Sequence, residues 1–587
     1  MKLKNRFLPF YQAIPKLLLF QVISSTILMI VTWGISSLTN LLLGLSGKAA
    51  ISSGDFAFLF TRWQGYAMIL LVLLMVVCYI AIELNALILF CGKLIDGENP
   101  SLWKCIGSGF AALKKYLNYR GLIIILYAAI LSPVLGLGFS LSLTKTFYIP
   151  NFIMSVIQAK PLFMIGYVIL QIVLIIIALL YCFILHGVML DGKTMKEASV
   201  NSRRMVLKNW KKFLLELLIF LLLTTLTVAV LIAVLFLLPL LIIQMIPMSE
   251  SVYQYCLIFI CLFGILLIHL IMSMSVSFLI IKLSTMYRRF QSDGQWSYQK
   301  REKKKHPWVI VCAIAAVLFI GLFSLVCTAF FDQIFPTEVK ADIVAHRAGG
   351  NEAPENTVKG IETAYELNAG GCEIDIQRTL DGYYVVNHDN TFERVAGVDK
   401  KPSEMTLEEV KALRVDGEPV ATLEEMLEAS RDKVMLFVEL KGETADQQMA
   451  DDAVRIIKEM GMEDQAVLIS LKYDVLEYIE EKYPEMLTGY LAFVSFGRIE
   501  ETPFDYLALE EEIATDETIQ SIHEKGKKIL VWTVNETDDI ENFLTSDADG
   551  IITDTVKTAK ELKEALNERD SYDVIINVFF KFLRDVR

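Results

Sequence analysis

Histidine is scarce in this chain, six among 587 residues, and two of the six, His346 and His388, fall in one stretch, Asp342–Asp389. Cysteine is nearly absent from the second half. Eight of the nine cysteines lie at or before Cys327 and only Cys372 follows, so no disulfide can form within that half. Roughly 230 residues there must be held by a hydrophobic core, a length that suffices. Positive charge is in deficit: 67 Asp and Glu outnumber 55 Lys and Arg, for a net charge of −12, which excludes the basic footprint of a nucleic-acid-binding protein. No removable leader is expected either. The first apolar run begins after Lys16, is too long for a secretory h-region and lacks a small-residue cleavage site, so it reads as a retained helix.

Apolar sequence is abundant, at 54% hydrophobic residues and a mean hydropathy of +0.48. The chain is too long for one ordinary domain. Up to Phe331 it is dominated by long apolar runs, and from Pro336 it alternates like a globular protein. A bilayer core takes about 20 apolar residues per helix. Seven runs reach that length, at about 17–43, 66–92, 121–143, 162–190, 213–246, 255–281 and 307–331, which predicts a membrane domain over 1–331. Lys and Arg alternate strictly between the connecting loops, 24 against 4, with KREKKK at 300–305 in the rich set. This predicts a multi-pass protein of the cell membrane with a cytoplasmic N-terminus and everything after Phe331 outside. A re-entrant pair at 213–246 would change that parity. The basic loop 191–212 reads as an amphipathic segment on the inner leaflet. His186 and His269, alone in apolar runs, are expected to make helix–helix hydrogen bonds, with a transport pathway as the alternative.

A linker at 332–340 leads to the second half. Short apolar runs at 342–346, 371–376, 434–440, 466–470, 487–493, 505–509, 528–534 and 549–552 alternate with amphipathic segments such as Thr357–Leu367, Ala445–Met460 and Asp516–Lys525. Eight such strands predict an α/β fold, a TIM-type (β/α)8 barrel over 341–570. An open doubly wound sheet is the alternative, but no Gly-rich phosphate loop follows the first strand in the form that fold would use. Asp381-Gly382 signals a hairpin, and 383–405 reads as an insertion over the barrel mouth. The tail 571–587 is amphipathic, with Val574, Ile575, Val578, Phe579, Phe582 and Leu583 on one side. It is expected to pack on the barrel, or else to dip into the outer leaflet.

Barrel enzymes carry their chemistry at the C-terminal ends of strands. His346 and Arg347 end the first. Glu373 and Asp375, two apart in the second, face the same way. Glu439 and Lys441 repeat that spacing in the third, and His388 and Asp389 follow the hairpin. Two carboxylates on one face repel unless something positive lies between them. Oxygen ligands from Glu373, Asp375 and Glu439 suit a hard divalent cation, Mg²⁺ or Ca²⁺. Arg347 and Lys441 are then phosphate partners, and the two histidines a general acid and a general base. The combination describes phosphoryl transfer.

Four stretches, HRAGGNEAPENT, EIDIQRTLDGYYVVNHD, VELK and VWTVN…DGIITD, resemble the glycerophosphodiester phosphodiesterases over about 341–560. The resemblance implies a TIM-type barrel that converts a glycerophosphodiester to sn-glycerol 3-phosphate and an alcohol. It implies His346 and His388 as the catalytic pair and Glu373, Asp375 and Glu439 as metal ligands. Arg347 and Lys441 would contact phosphate, Glu355 and Asn356 would lie near the substrate, and Trp532 would stand near its glycerol end. In the family the substrate's own hydroxyl attacks phosphorus to give a cyclic phosphate that water then opens. Where the family usually has glycine after His-Arg, this chain has Ala348, and the loop is expected to adjust through Gly349. The membrane half resembles the multi-helix region fused ahead of this barrel in some Gram-positive members. Expected substrates are glycerophosphodiesters at or near the membrane surface: deacylated phospholipids, lysophospholipids or envelope glycerol-phosphate polymer. Membrane lipid is the other expected partner. A transport or sensing protein whose barrel binds a phosphodiester without cleaving it is the alternative. Substitution of His346 or His388 separates the two.

Overall fold

A computed structural model describes residues 3–52, 57–116, 154, 157–158, 160–297, 307–335 and 339–586. The chain divides into two compact units, one of Met1–Ser37, Ile69–Phe335 and Ser571–Arg587, the other of Leu38–Met68 and Pro336–Asp570.

Six helices among the described residues are long and apolar enough to cross a membrane: Ala13–Gly44, Trp63–Ile95, Pro161–Leu190, Trp210–Met245, Glu250–Gln291 and Pro307–Ala329. The expected span at 121–143 and the KREKKK run lie outside the described residues. Trp210–Met245 is continuous rather than a re-entrant pair. A π-turn at Ala233–Leu237 precedes its proline, Pro239, two features that commonly mark a bend in a helix. The helix Met195–Lys208 in the basic loop starts on a Thr194/Glu197 capping box. Its apolar face, Met195, Ala198, Met205 and Val206, is buried against protein. Neither histidine makes the expected helix–helix bond among the described residues. His269 bonds the Ile265 carbonyl of its own helix at 2.9 Å, and His186 packs against the rings of Phe183 and Tyr287.

The tail helix Ser571–Val586 belongs to the membrane unit. Val574, Ile575 and Phe579 join Phe236, Leu240, Leu257 and Cys261 in a cluster of the membrane unit, and Phe579 stacks on Phe236 at 4.8 Å. An amphipathic stripe shows that a helix needs an apolar partner, but not which one.

In the other unit the strands are β1 (Ala50–Ser52), β2 (Asp342–Ala345), β3 (Gly371–Arg378), β4 (Tyr384–Val386), β5 (Arg414–Val415), β6 (Glu418–Pro419), β7 (Met435–Leu440), β8 (Ala466–Ser470), β9 (Thr488–Ala492), β10 (Ser495–Gly497), β11 (Tyr506–Glu510), β12 (Lys528–Trp532) and β13 (Gly550–Thr553). Eight of them, β2, β3, β7, β8, β9, β11, β12 and β13, pair in parallel in that order. The β13–β2 pairing closes the ring, which rules out the open sheet. These strands read as short apolar runs because both faces are covered. Inside lie Val344, Phe437, Ile469, Leu491, Tyr506 and Leu530. Outside, helices such as Gln447–Glu459 bury Met449, Ala453 and Ile457 against the strands. That helix starts on Asp446, whose carboxylate accepts from the Met449 N–H at 2.9 Å, a cap worth about 1 kcal/mol.

The hairpin forms as expected: β4 pairs antiparallel with β3, turning at Gly382 with φ 89°. The excursion that follows runs past 405. It includes the helix Leu407–Lys411 and the β5–β6 pair, has its own core of Val385, Phe392, Met405 and Val410, and ends at the helix Leu423–Ser430.

Candidate active site

The β3–β7 register sets Asp375 directly beside Glu439. Glu373 joins them: one carboxylate oxygen from each of the three lies within 4.8 Å of the others. All three are buried, at 4, 0 and 7% exposure for Glu373, Asp375 and Glu439. Three buried carboxylates this close require positive charge. Lys441 supplies part of it, its ammonium 2.7 Å from Asp375 Oδ1 and 3.0 Å from Glu439 Oε2. Asp375 Oδ2 accepts from Asn356 Nδ2 at 2.9 Å. Burial works against the Asp375 charge, but Lys441 and then His388 outweigh it and hold this carboxyl below its usual range. Glu373 lacks that help. Burial first, then the charges of Asp375 and Glu439, push it well above the usual range. Glu439 also rises, through burial that Lys441 only partly offsets.

Glu373 Oε2 accepts the Arg347 backbone N–H at 2.9 Å, while Oε1 is buried with no hydrogen-bond partner. An orphaned carboxylate oxygen beside two more carboxylates fits a hard divalent cation.

His346 leaves β2 with its Nδ1 on Asp554 Oδ1 at 2.6 Å and its Nε2 3.9 Å from Glu373. Asp554 also accepts from Asn535 Nδ2 at 2.7 Å. Gly350, at φ 59°, allows the close approach, because a Cβ there would lie 2.5 Å from the Asp554 carbonyl oxygen. His388 has the same arrangement: Nδ1 lies 2.7 Å from Asp389 Oδ1. Burial lowers the His388 pKa below its ordinary 6.5, with Asp375 opposing and Lys441 adding to the fall. Asp389 is held to about 2, its burial overcome by hydrogen bonds from Arg394 and His388.

Arg394, from the excursion, ties this side together. It reaches Asp389 through Nε at 2.7 Å and Glu355 through a two-pronged pair at 2.7 Å each. Glu355 also holds Arg347 Nη1 at 3.3 Å. Glu355 and Asn356 are joined to this cluster by hydrogen bonds. Glu355 anchors two arginines, and Asn356 orients Asp375 by accepting its N–H at 3.2 Å and donating to its carboxylate. Trp532 ends β12 with its indole N–H on the Ala508 carbonyl at 2.7 Å.

The loop does not adjust through Gly349. Ala348 itself takes φ 70° and Arg347 φ 49°, at a cost of about 1 kcal/mol or more per residue. Both are held there by N–H bonds to Glu373: Ala348 to its carbonyl at 2.6 Å and Arg347 to its carboxylate.

Sequence reading missed Asp554, Asn535 and Arg394. The first two follow strands β13 and β12, so the strand-end rule that selects His346 applies to them as well. Nothing in the sequence of the excursion marks Arg394. Asp554→Asn is expected to lower kcat at least 10²-fold with KM little changed, because the amide no longer fixes the His346 tautomer. Steady-state kinetics of the variant checks this.

The family model described as the membrane domain of glycerophosphoryl diester phosphodiesterase matches residues 3–325, and that of the glycerophosphoryl diester phosphodiesterase family matches 346–558. A glycerophosphodiester phosphodiesterase of Caldanaerobacter subterraneus is 30% identical over 38% of this chain and 96% of its own. One from Bacillus altitudinis is 28% identical over 38% of this chain and 98% of its own. A crystal structure of a glycerophosphodiester phosphodiesterase from Thermotoga maritima is 27% identical, covers 37% of this chain and 96% of its own, and has a TM-score of 0.33.

Proposed function

Because this chain belongs to the glycerophosphodiester phosphodiesterase family and is a membrane enzyme of that family, we propose that it hydrolyses glycerophosphodiesters at the outer membrane surface to sn-glycerol 3-phosphate and an alcohol. The observation that carries this reading is the pair of histidines, each with a carboxylate on Nδ1, beside a buried acidic trio with one unpartnered oxygen. Glu373, Asp375 and Glu439 would hold a Mg²⁺ or Ca²⁺ ion, which when bound supplies charge stabilisation to the phosphoryl oxygens. Arg347 and Lys441 bind the phosphate, a fork and a point charge, and Trp532 lines the glycerol side.

Burial keeps His388 neutral near pH 7, so it suits the base that takes the proton of the substrate's glycerol hydroxyl as that oxygen attacks phosphorus. His346 stands between the carboxylates of Asp554 and Glu373 and protonates the departing alcohol oxygen. In the second half His346 takes a proton from water, water oxygen bonds to phosphorus, and His388 returns its proton to the ring oxygen as the cyclic phosphate opens. Substrates drawn from the bilayer surface, lysophospholipids among them, suit an external barrel, an orientation supported by the loop charges, 24 against 4.

The test is release of glycerol 3-phosphate from glycerophosphocholine and glycerophosphoglycerol by the full-length protein in lipid, with and without chelator. Release abolished by chelator and restored by Mg²⁺ or Ca²⁺ is expected. Chelator-insensitive release would remove the metal from the reading. With the cation saturating at every pH, a plot of log kcat/KM against pH should show an acid limb centred below 6.5, where the depressed His388 takes a proton. A limb above that value would remove His388 as the base of the free enzyme.

A further inference from the structure

Each barrel strand but one is followed by a helix of eight residues or more. The exception is β9, where only β10 and the turn Ile499–Glu501 lead to β11. Cover at this place comes from another part of the chain. β1, which in sequence joins the first two apolar spans, pairs antiparallel with β10, Ala50 opposite Gly497 and Ile51 opposite Phe496. The Arg498 N–H donates to the Ala49 carbonyl at 3.0 Å. Ala50 belongs to the main barrel core, and Ile51 is fully buried with Leu43, Phe58 and Met68. β10 is shaped for this approach: Gly497 has φ 110°, and a Cβ there would lie 2.5 Å from Leu43 and 2.6 Å from the Ala49 carbonyl oxygen. The Lys48 ammonium stands 5.5 Å from the ring centre of Tyr473, which begins the helix after β8.

The loop carrying β10 leaves the C-terminal end of β9, the same end of the barrel from which His346 and Lys441 leave β2 and β7. Around the ring β9 is four strands from β2, so this loop leaves the mouth on the side opposite the loop that carries His346. We propose that the segment between the first two spans is a working part of the catalytic mouth. By pairing with β10 it fixes loop 493–504 and makes turnover depend on that segment. Without β1, β10 would have no strand partner, and a short strand so exposed does not hold its conformation. On this inference the stretch supplies the piece of the barrel wall that the barrel sequence itself lacks.

The proposal rests on the hydrolytic reading above, and wild-type turnover measured alongside separates the two, since failure of that reading silences wild type and variants alike. Full-length protein in lipid nanodiscs carries Ile51→Asp, which buries a charge in the β1 contact, or the milder Ile51→Ala. Both lie outside the acid, base and metal groups. Hydrogen exchange of loop 493–504, kcat and KM for glycerophosphocholine, and exchange of the barrel strands are measured together. Ile51→Asp should speed exchange in this loop and leave the strands protected, with kcat/KM at least tenfold lower. Ile51→Ala should fall between. Faster loop exchange with unchanged kcat and KM would overturn the proposal and leave β1 as mere cover. So would turnover lost only together with exchange across all eight strands in both variants.

Discussion

Replacing His388 with alanine should lower release of glycerol 3-phosphate by two to four orders of magnitude, the usual range for loss of a positioned general base. His346→Ala should cost a similar factor on glycerophosphocholine, but the two variants part on a better leaving group. The departing oxygen of p-nitrophenol needs no proton, so on glycerophospho-p-nitrophenol His346→Ala should recover most of its rate while His388→Ala should not. This follows from geometry. His346 Nδ1 is engaged by Asp554, and its other nitrogen stands beside Glu373, 3.9 Å away. His388 is tied through Asp389 to Arg394 and is kept neutral by burial. Recovery in the opposite variant would exchange the two roles. Equal recovery in neither would mean that proton transfer to the leaving oxygen does not limit the rate.

The second large effect separates stability from turnover. Glu373→Gln should abolish metal-dependent activity and at the same time stabilise the metal-free barrel at pH 8, because the amide brings no charge into the buried trio. The Glu373 carboxyl is raised by burial and then by Asp375 and Glu439. A carboxyl raised on folding does no harm below its unfolded value of about 4.3, where it is protonated in both states. Its penalty grows as pH rises from there through the raised folded value. The variant's advantage should therefore be absent near pH 4, appear on the alkaline side and persist. Gln keeps an oxygen for the Arg347 N–H, so the loop after β2 is not released. Added Mg²⁺ or Ca²⁺ should reverse the order, since it stabilises the wild type by mass action and the variant little. Thermal unfolding in detergent at several pH values, with and without cation, reads all of this. A variant less stable than wild type in chelator would mean that Lys441 neutralises the trio unaided.

The barrel is legible because its strands are buried on both faces: DIVA, CEIDI, VMLFVEL and AVLIS stand out against charged helices such as Gln447–Glu459. The acidic trio is legible because E-x-D in a strand can point only one way, and Glu439-x-Lys441 repeats it on the next barrel strand. The chemistry of Arg394 is not legible. It is an ordinary residue in a polar excursion until the fold brings Asp389 and Glu355 to its guanidinium. Asn356 and Glu355 are legible as neighbours of the loop after β2, but their bonds to Asp375 and Arg394 are not, since those partners come from other parts of the chain. β1 is less visible still. Three residues, Ala-Ile-Ser, carry no periodicity, and their pairing is fixed by a glycine more than four hundred residues away. The strain at Ala348 is visible only as backbone angles.

The helix Ser571–Val586 has a consequence for how the chain is made. It completes the cluster of Phe236, Leu257 and Cys261, yet it is translated after the roughly 235 residues of Pro336–Asp570. As a flexible loop, a segment of that length would oppose closure by about 5 kcal/mol. A folded domain, whose ends usually lie near each other, removes most of that loss. Assembly should therefore be ordered: the spans insert with this cluster open, the barrel folds, and the last helix docks late. A nascent chain stalled before Ser571 would leave that apolar patch bare, the state in which quality control would most readily recognise it.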